Sequence, residues 1–214
     1  MSFYWIKTKS FIKRLFSNYV WDLPNTQNKI YLTFDDGPTP EITEWVLEEL
    51  KKHNVKATFF CIGNNIQKHP ELFQKVINEG HVIGNHTYDH MNGWKTETKT
   101  YLENIRLCEK QIQKSLIENL QSKIFRPPYG KIKFAQAKRL RKLGYKIIMW
   151  DVLSADFDQT ITKERCLENV LSNITSGSII VFHDSDKAFK SLEYTLPRVL
   201  EHIDKNHFRC EVLP

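Results

Sequence analysis

A chain of 214 residues, 41% hydrophobic and 26% charged, is long enough to bury one sizeable core and has the make-up of an ordinary soluble domain. Its net charge of +6 is localised: of 31 basic side chains, Lys7, Lys9, Lys13 and Arg14 precede the first acid, Asp22, leaving 27 against 25 acidic ones. That balance excludes a broad nucleic-acid footprint, and no apolar run approaches the roughly twenty residues that span a bilayer.

The amino-terminal stretch interleaves Phe3, Trp5, Ile6, Phe11, Ile12, Leu15, Phe16 and Tyr19 with its basic residues, and Ile12, Leu15, Phe16 and Tyr19 keep helical spacing. It lacks the continuous apolar core and small-residue cleavage site of a secretory signal. Two readings stand: a basic amphipathic helix (residues 3–21) resting on an anionic membrane surface or a partner, or a helix packed across the domain to close one end. The second is favoured, because such stripes usually face a core. Residues 1–24 are read as an amphipathic extension and 25–214 as the main domain, in the cytoplasm or at a membrane or cell-envelope surface. The oligomeric state is not readable.

After the loop Leu23–Asn28, strands and helices alternate. Lys29–Phe34 reads as a strand broken by Gly37-Pro38. A helix follows, with Thr39 as cap and Pro40 in its first turn. Ala57–Ile62 is the second strand, Gly63–Glu79 one helix stopped by Gly80, and His81–Asn85 a short third strand. A longer helix spans Thr96–Glu118, with apolar positions to Leu116. Ile124–Arg126 is strand-like and Pro127–Gly130 loop. Phe134–Leu143 is a helix, Tyr145–Trp150 a strand, Thr162–Ile174 a helix capped by Thr160 or Thr162, and Ser178–Phe182 a wholly apolar strand. Lys187–Lys205 is a last helix broken or kinked at Pro197, before the strand Phe208–Val212. Such alternation argues a parallel sheet covered by helices, open or closed. Cys61, Cys108, Cys166 and Cys210 form no Cys-x-x-Cys pair and read as reduced, packed thiols.

Polar clusters of complementary chemistry fall at the carboxyl ends of these strands, where α/β enzymes keep their chemistry. Asp35-Asp36 follows the first strand, His86 and His90 the third, Arg126 and Tyr129 the next, Asp156 the Trp150 strand, and His183-Asp184 the last apolar one. An isolated Asp-Gly-Pro is more often an exposed turn, and a lone His183 or Arg126 a structural residue. One shared rim is the stronger signal, and an Asp with a His-x-x-x-His pair has the ligand count of an open zinc site.

The segments Thr33-Phe34-Asp35-Asp36-Gly37-Pro38, His86-Thr87-Tyr88-Asp89-His90, Arg126-Pro127-Pro128-Tyr129-Gly130, Trp150 through Phe157, and Ile180-Val181-Phe182-His183-Asp184 resemble, in order, the five motifs of the NodB-homology polysaccharide deacetylases, carbohydrate esterase family 4. The resemblance runs from about residue 28 to 212. It implies a distorted, incomplete (β/α) barrel, deformed TIM-like with about seven strands, and metal-dependent removal of acetyl groups from an N-acetylated glycan such as peptidoglycan or chitin. One divalent ion, zinc before Co2+, Ni2+ or Mn2+, would be held by Asp36, His86 and His90. Asp35 would be the base, Arg126 its tether, His183 the acid, and Asp156 the acid's orienting partner. The Tyr129 backbone would hold the oxyanion, Thr87 would brace the histidine loop, and Trp150, Phe157 and Val181 would line the acetyl pocket. The chain departs at Phe157, where many relatives carry Trp, and at Val181, smaller than the usual Leu. Trp94 reads equally as a sugar platform or a packing aromatic. The alternatives are a same-fold amidohydrolase or O-acetyl esterase acting on a small non-glycan molecule, and a non-catalytic binding module, which the full set of ligands, base and acid disfavours.

Overall fold

The computed structural model describes residues 4–24, 27–115 and 123–214. A short helix α1 (Ser10–Leu15) precedes β1 (Lys29–Asp35), α2 (Ile42–Lys52), β2 (Thr58–Cys61), α3 (Gly63–Lys68), α4 (Pro70–Asn78), β3 (Val82–Asn85) and α5 (Thr98–Ser115). There follow β4 (Ile124–Phe125), a 3-10 turn at Pro128–Gly130, α6 (Phe134–Lys142), β5 (Lys146–Ile147), β6 (Val152–Leu153), α7 (Lys163–Leu171), β7 (Ile179–His183), α8 (Asp186–Lys205) and β8 (Arg209–Cys210). The expected helix positions 116–118, together with Phe3, Asn25 and Thr26, lie outside the described residues.

The strands pair in parallel in the order β5-β4-β3-β2-β1-β7-β6, and β8 adds to the start of β1 at Lys29 and Ile30. The seven-strand path is the curled sheet of a distorted, incomplete (β/α) barrel, open between β5 and β6. Alternation along β1 sorts two cores. Ile30, Leu32 and Phe34 face outward to the helices, with Phe59 and Phe182 stacked on Phe34 at 5.1 and 5.8 Å. Tyr31 faces the barrel interior with Phe60, Ile124, Ile148 and Ile179. The same alternation puts Thr33 and Asp35 inside, in register with Val181 and His183 on β7. Asp35 and His183 are thereby neighbours at one rim.

Residues 4–24 are tied to both open edges. The Leu153 amide donates to Ile6 O and the Thr8 amide to Asp151 O, at 2.8 and 2.9 Å. Val20 bridges Ile148, and Asp22 bridges Ser178. Lys7 and Lys13 both pair with the buried Asp151. The helical stripe expected here is only partly inward: Ile12 is buried, but Leu15 is 70% exposed and Phe16 also faces solvent. The helix stops at Leu15, and a turn held by Trp21 Nε1 donating to Phe16 O at 3.1 Å brings Val20 to the sheet edge.

Other expectations need correction. The single helix Gly63–Glu79 is two, because Pro70 has no N–H and bars His69 from helical geometry, so α4 starts afresh at the proline. The helix after Gly37-Pro38 starts later than expected and has no Thr cap: Glu41 occupies the cap in a left-handed conformation, φ 65°. Helix α8 passes through Pro197 unbroken. The run Tyr145–Trp150 holds only two residues of strand; the chain then crosses to the far edge and forms β6, which had no signal of its own. Thr162 does cap α7, accepting from the Arg165 amide at 3.2 Å. All four cysteines are free, three of them buried.

Candidate metal and active site

Asp35 and Asp36 end the central strand in different surroundings. Asp35 is buried, and Arg126 Nη1 donates to its Oδ1 at 2.7 Å and to Thr33 Oγ1 at 2.7 Å. Arg126 Nη2 donates to Met149 O at 3.0 Å, and the Phe60 ring lies 4.2 Å from the guanidinium carbon. Burial pulls the guanidinium pKa down and Asp35 opposes it, so the pair is a fully enclosed ion pair.

Asp36 turns the other way, in a left-handed conformation with φ 86°. Its Oδ1 lies 3.2 Å from His90 Nε2 and 3.7 Å from His86 Nε2, yet it is a buried oxygen that accepts no hydrogen bond. His86 Nδ1 sits 2.8 Å from Arg126 O; a carbonyl can only accept, so Nδ1 carries the proton and Nε2 offers its lone pair to the cluster. Burial pushes His86 down to about 4, so it is a neutral ligand at physiological pH. Burial would raise the Asp36 carboxyl, but the imidazoles, His90 foremost, outweigh it and hold the group well below the usual range. One ligand atom from each of Asp36, His86 and His90 lies within 4.8 Å of the others. An orphaned carboxylate oxygen facing two imidazole nitrogens, one with a fixed tautomer, fits a divalent cation with open positions for water and substrate.

His183 stands on the next strand. Asp156 grips it twice, at 2.7 Å to Nδ1 and 2.8 Å to the backbone N–H. Burial lowers the imidazole pKa, but Asp156 reverses that and holds it up at about 9. The Phe157 and His183 rings meet edge to face with their centres 5.0 Å apart. Tyr129 is 59% exposed, its ring 4.6 Å from His90 and its hydroxyl 3.1 Å from His90 Nδ1. Trp150 packs over Gly130, where a Cβ would come within 2.6 Å of the indole, and Val181 lies buried beneath His183 on the inner face. The residues named for the metal, the base, the acid and the acetyl pocket therefore gather at this rim, and Trp94 stands apart from the metal cluster.

Strain gathers at the same place. Asp36, Thr87, His90, Tyr129 and Ala155 all have positive φ although none is glycine. Each such residue costs on the order of 1–3 kcal/mol and persists only where its surroundings dictate it. The surroundings are explicit here. The Asp36 amide donates to Phe60 O at 3.2 Å, and Asn65 Nδ2 donates to Asp36 O at 2.8 Å. Thr87 Oγ1 accepts from the Met91 amide at 3.0 Å, bracing the turn that carries both histidines.

Comparison with known proteins agrees with this geometry. The family model described as polysaccharide deacetylase matches residues 22–148. The chain belongs to the polysaccharide deacetylase family. Two Bacillus cereus proteins named peptidoglycan-N-acetylglucosamine deacetylase are similar to it. One is 38% identical over 78% of this chain and 60% of its own length, the other 33% identical over 88% of each. The chain thus spans less than two thirds of the first of these relatives. A crystal structure of a peptidoglycan N-acetylglucosamine deacetylase superposes with a TM-score of 0.87 at 33% identity, covering 97% of this chain and 96% of that one.

In this chain several supporting residues gave no separate sequence signal. Asp184 is completely buried; its Oδ1 accepts the Gly37 amide at 3.0 Å and its Oδ2 the Thr43 hydroxyl at 2.6 Å. A Cβ on Gly37 would lie 1.9 Å from that carboxylate, so glycine is required by the approach of Asp184. Burial pushes the Asp184 carboxyl up to about 7. Asn104 accepts the Tyr88 and Asp89 amides at 2.8 and 3.0 Å, clamping the histidine turn. From the amino-terminal segment, the Tyr4 hydroxyl donates to Asp158 at 2.5 Å and its ring meets Phe157 at 5.5 Å, while Thr8 Oγ1 donates to Trp150 O at 2.7 Å. Two of the acetyl-pocket candidates therefore lean on residues far away in sequence. Only the adjacency of Asp184 to His183 was visible beforehand.

Proposed function

We propose that this chain hydrolyses the acetamide of N-acetylglucosamine units in a glycan of the peptidoglycan or chitin type, with one divalent ion held by Asp36, His86 and His90. The observation that carries the reading is the unsatisfied Asp36 oxygen facing two imidazoles, with the Asp35 carboxylate and the Asp156-gripped His183 imidazole on the two paired strands beside it. The donor set suits zinc first, with Co2+, Ni2+ or Mn2+ as substitutes. When bound, the ion supplies Lewis-acid polarisation of the acetyl carbonyl and lowers the pKa of water.

The chain's own groups do the rest. Arg126 holds Asp35 in place through the 2.7 Å bond to Oδ1, and Asp35 takes a proton from the attacking water. The Tyr129 backbone N–H is assigned the oxyanion, a role worth roughly 3 kcal/mol for a preorganised donor. An amine leaves poorly unless protonated, and His183, charged through Asp156, delivers that proton from the opposite side. The C–N bond breaks to give acetate and a free amino sugar. Trp150, Phe157 and Val181 are assigned the acetyl methyl.

Of the cytoplasm and the membrane or cell-envelope surface, such a substrate favours the envelope. No helix among the described residues is long and apolar enough to cross a membrane. Exposed Phe11, Leu15 and Phe16 beside Lys9 and Arg14 support a peripheral contact with an anionic membrane surface through residues 3–21. This contact is smaller than the basic count suggests, because Lys7 and Lys13 are engaged with Asp151.

Acetate release from peptidoglycan and from chitooligosaccharides tests the reading, in chelated, zinc-restored and Asp35→Asn protein. We expect chelation to abolish release and zinc to restore it. Asp35→Asn should lower turnover by about 10²–10⁴ while still binding one ion. A stoichiometric ion with no acetate from any glycan would overturn the glycan assignment and move the search to small amides and esters.

A further inference from the structure

Trp94 is an exposed aromatic that neither the metal cluster nor any core explains. It is 60% exposed, yet it is not loose. Its indole N–H donates to Ile132 O at 3.1 Å, and its amide donates to Asn92 Oδ1 at 3.0 Å. The preceding Gly93 donates to Lys131 O at 3.1 Å, where a Cβ would come within 2.4 Å of that oxygen, and it accepts Gln136 Nε2 at 3.0 Å. The fold thus fixes a large apolar face in water, which packing alone does not require.

What lies between Trp94 and the metal cluster gives that face a purpose. The Lys131 ammonium is 5.6 Å from the centre of the Trp94 ring and 6.0 Å from that of Tyr129. Tyr129 in turn touches His90. Among the described residues Lys131 makes no ion pair, so its charge is set between two exposed rings with no carboxylate to meet. Fixed aromatic faces suit the apolar faces of sugar rings, and an uncommitted ammonium between them suits an anion carried on that sugar.

We propose that Trp94, Lys131 and Tyr129 form a subsite, one sugar removed from the reacting acetamide, for a residue that carries a carboxylate. This rests on the glycan reading above and narrows it to an acidic alternating polymer over a neutral one. Trp94 provides the stacking face and Lys131 the countercharge. Such a preference is weakened by salt, because the ammonium is at the surface.

The test compares acetate release from oligomers that alternate N-acetylglucosamine with a lactyl-bearing sugar against neutral chitooligosaccharides of equal length. We expect Lys131→Glu to lower the acidic-to-neutral ratio of kcat/KM about tenfold, mostly through KM, and Lys131→Ala about fivefold. Trp94→Ala should raise KM for both series by about threefold to tenfold with kcat nearly unchanged. Thermal melting of each variant guards against misfolding. A ratio unmoved in Lys131→Glu overturns the subsite. If wild-type protein releases no acetate from either series, the deacetylase reading has failed instead. Titration of the two oligomers into Asp35→Asn protein then still decides the subsite, by whether Lys131→Glu in that background removes the preference for the acidic one.

Discussion

Asp35 and Asp36 share a peptide bond and almost nothing else. Asp35 is completed by the fold: Arg126 reaches it from β4's end, shares the same nitrogen with Thr33, and is itself held by Met149 O. Asp36 is left incomplete, with a buried oxygen that accepts nothing and two imidazoles aimed at the same point. The difference teaches how one strand end can serve two purposes. A carboxylate meant to accept a proton is given a permanent cation that holds it in one orientation. A carboxylate meant to bind an ion keeps one buried oxygen without a hydrogen bond, facing two imidazole nitrogens that can share the ion with it.

Removing the permanent partner is the hardest test of that contrast. Arg126→Met leaves Asp35 buried without its cation, and breaking an enclosed pair from one side costs about 3–5 kcal/mol. Urea unfolding of the metal-free protein should show a loss of that size. A loss under ~1 kcal/mol would mean that Asp35 has another source of compensation. The counterpart, Asp36→Asn, should act mainly on metal binding. It removes a charge that the metal-free protein holds only through the imidazoles, His90 foremost, so metal-free stability should fall by less than in Arg126→Met. What disappears is the stabilisation on adding zinc, with affinity falling at least ~100-fold, beyond the 10–100-fold that an outer-shell partner is worth. Zinc raising the melting temperature of Asp36→Asn as much as that of wild type would break the comparison.

The placement of both carboxylates was legible in the sequence because it depends on strand ends, which hydrophobic runs and Gly37-Pro38 mark clearly. The same logic located His86, His90, Arg126 and His183, each following an apolar run. What was illegible depends on tertiary approach. Nothing in Lys146-Ile147 or Val152-Leu153 says that they sit on opposite edges of the sheet, or that residues 4–24 fill the seam between them. Helical spacing at Ile12, Leu15, Phe16 and Tyr19 suggested a longer buried helix, whereas the demand that Val20 reach Ile148 ended it after six residues. Pro197 read as a break or a kink, and α8 carries on through it without a break. The left-handed backbone at Asp36, Thr87, His90, Tyr129 and Ala155 was equally hidden, since none is a glycine and each is imposed by hydrogen bonds from other loops.

His183 and Asp156 extend the contrast to a third carboxylate, with a subtler effect. Asp156 resembles Asp35 in having a dedicated cationic partner, but here the partner can lose its charge. The imidazole is held at about 9 against an ordinary value near 6.5, so it remains protonated through the neutral range and loses the proton as pH rises through about 9. The pair's contribution to stability follows the same window: fully present below about 6.5 and lost by the time the pH passes the folded value. If His183 delivers the proton to the leaving amine, kcat/KM should fall along an alkaline limb near pH 9. Asp156→Asn removes the charge that raises the imidazole while still offering an oxygen to Nδ1. The limb should therefore move to lower pH by about one to two units, toward the ordinary histidine value. The pH–rate profile of the zinc-loaded variant checks this. A limb that stays near 9 in Asp156→Asn would assign it to a group other than His183, and the Asp156 carboxylate would then match Asp35 only in having a partner, not in tuning a proton.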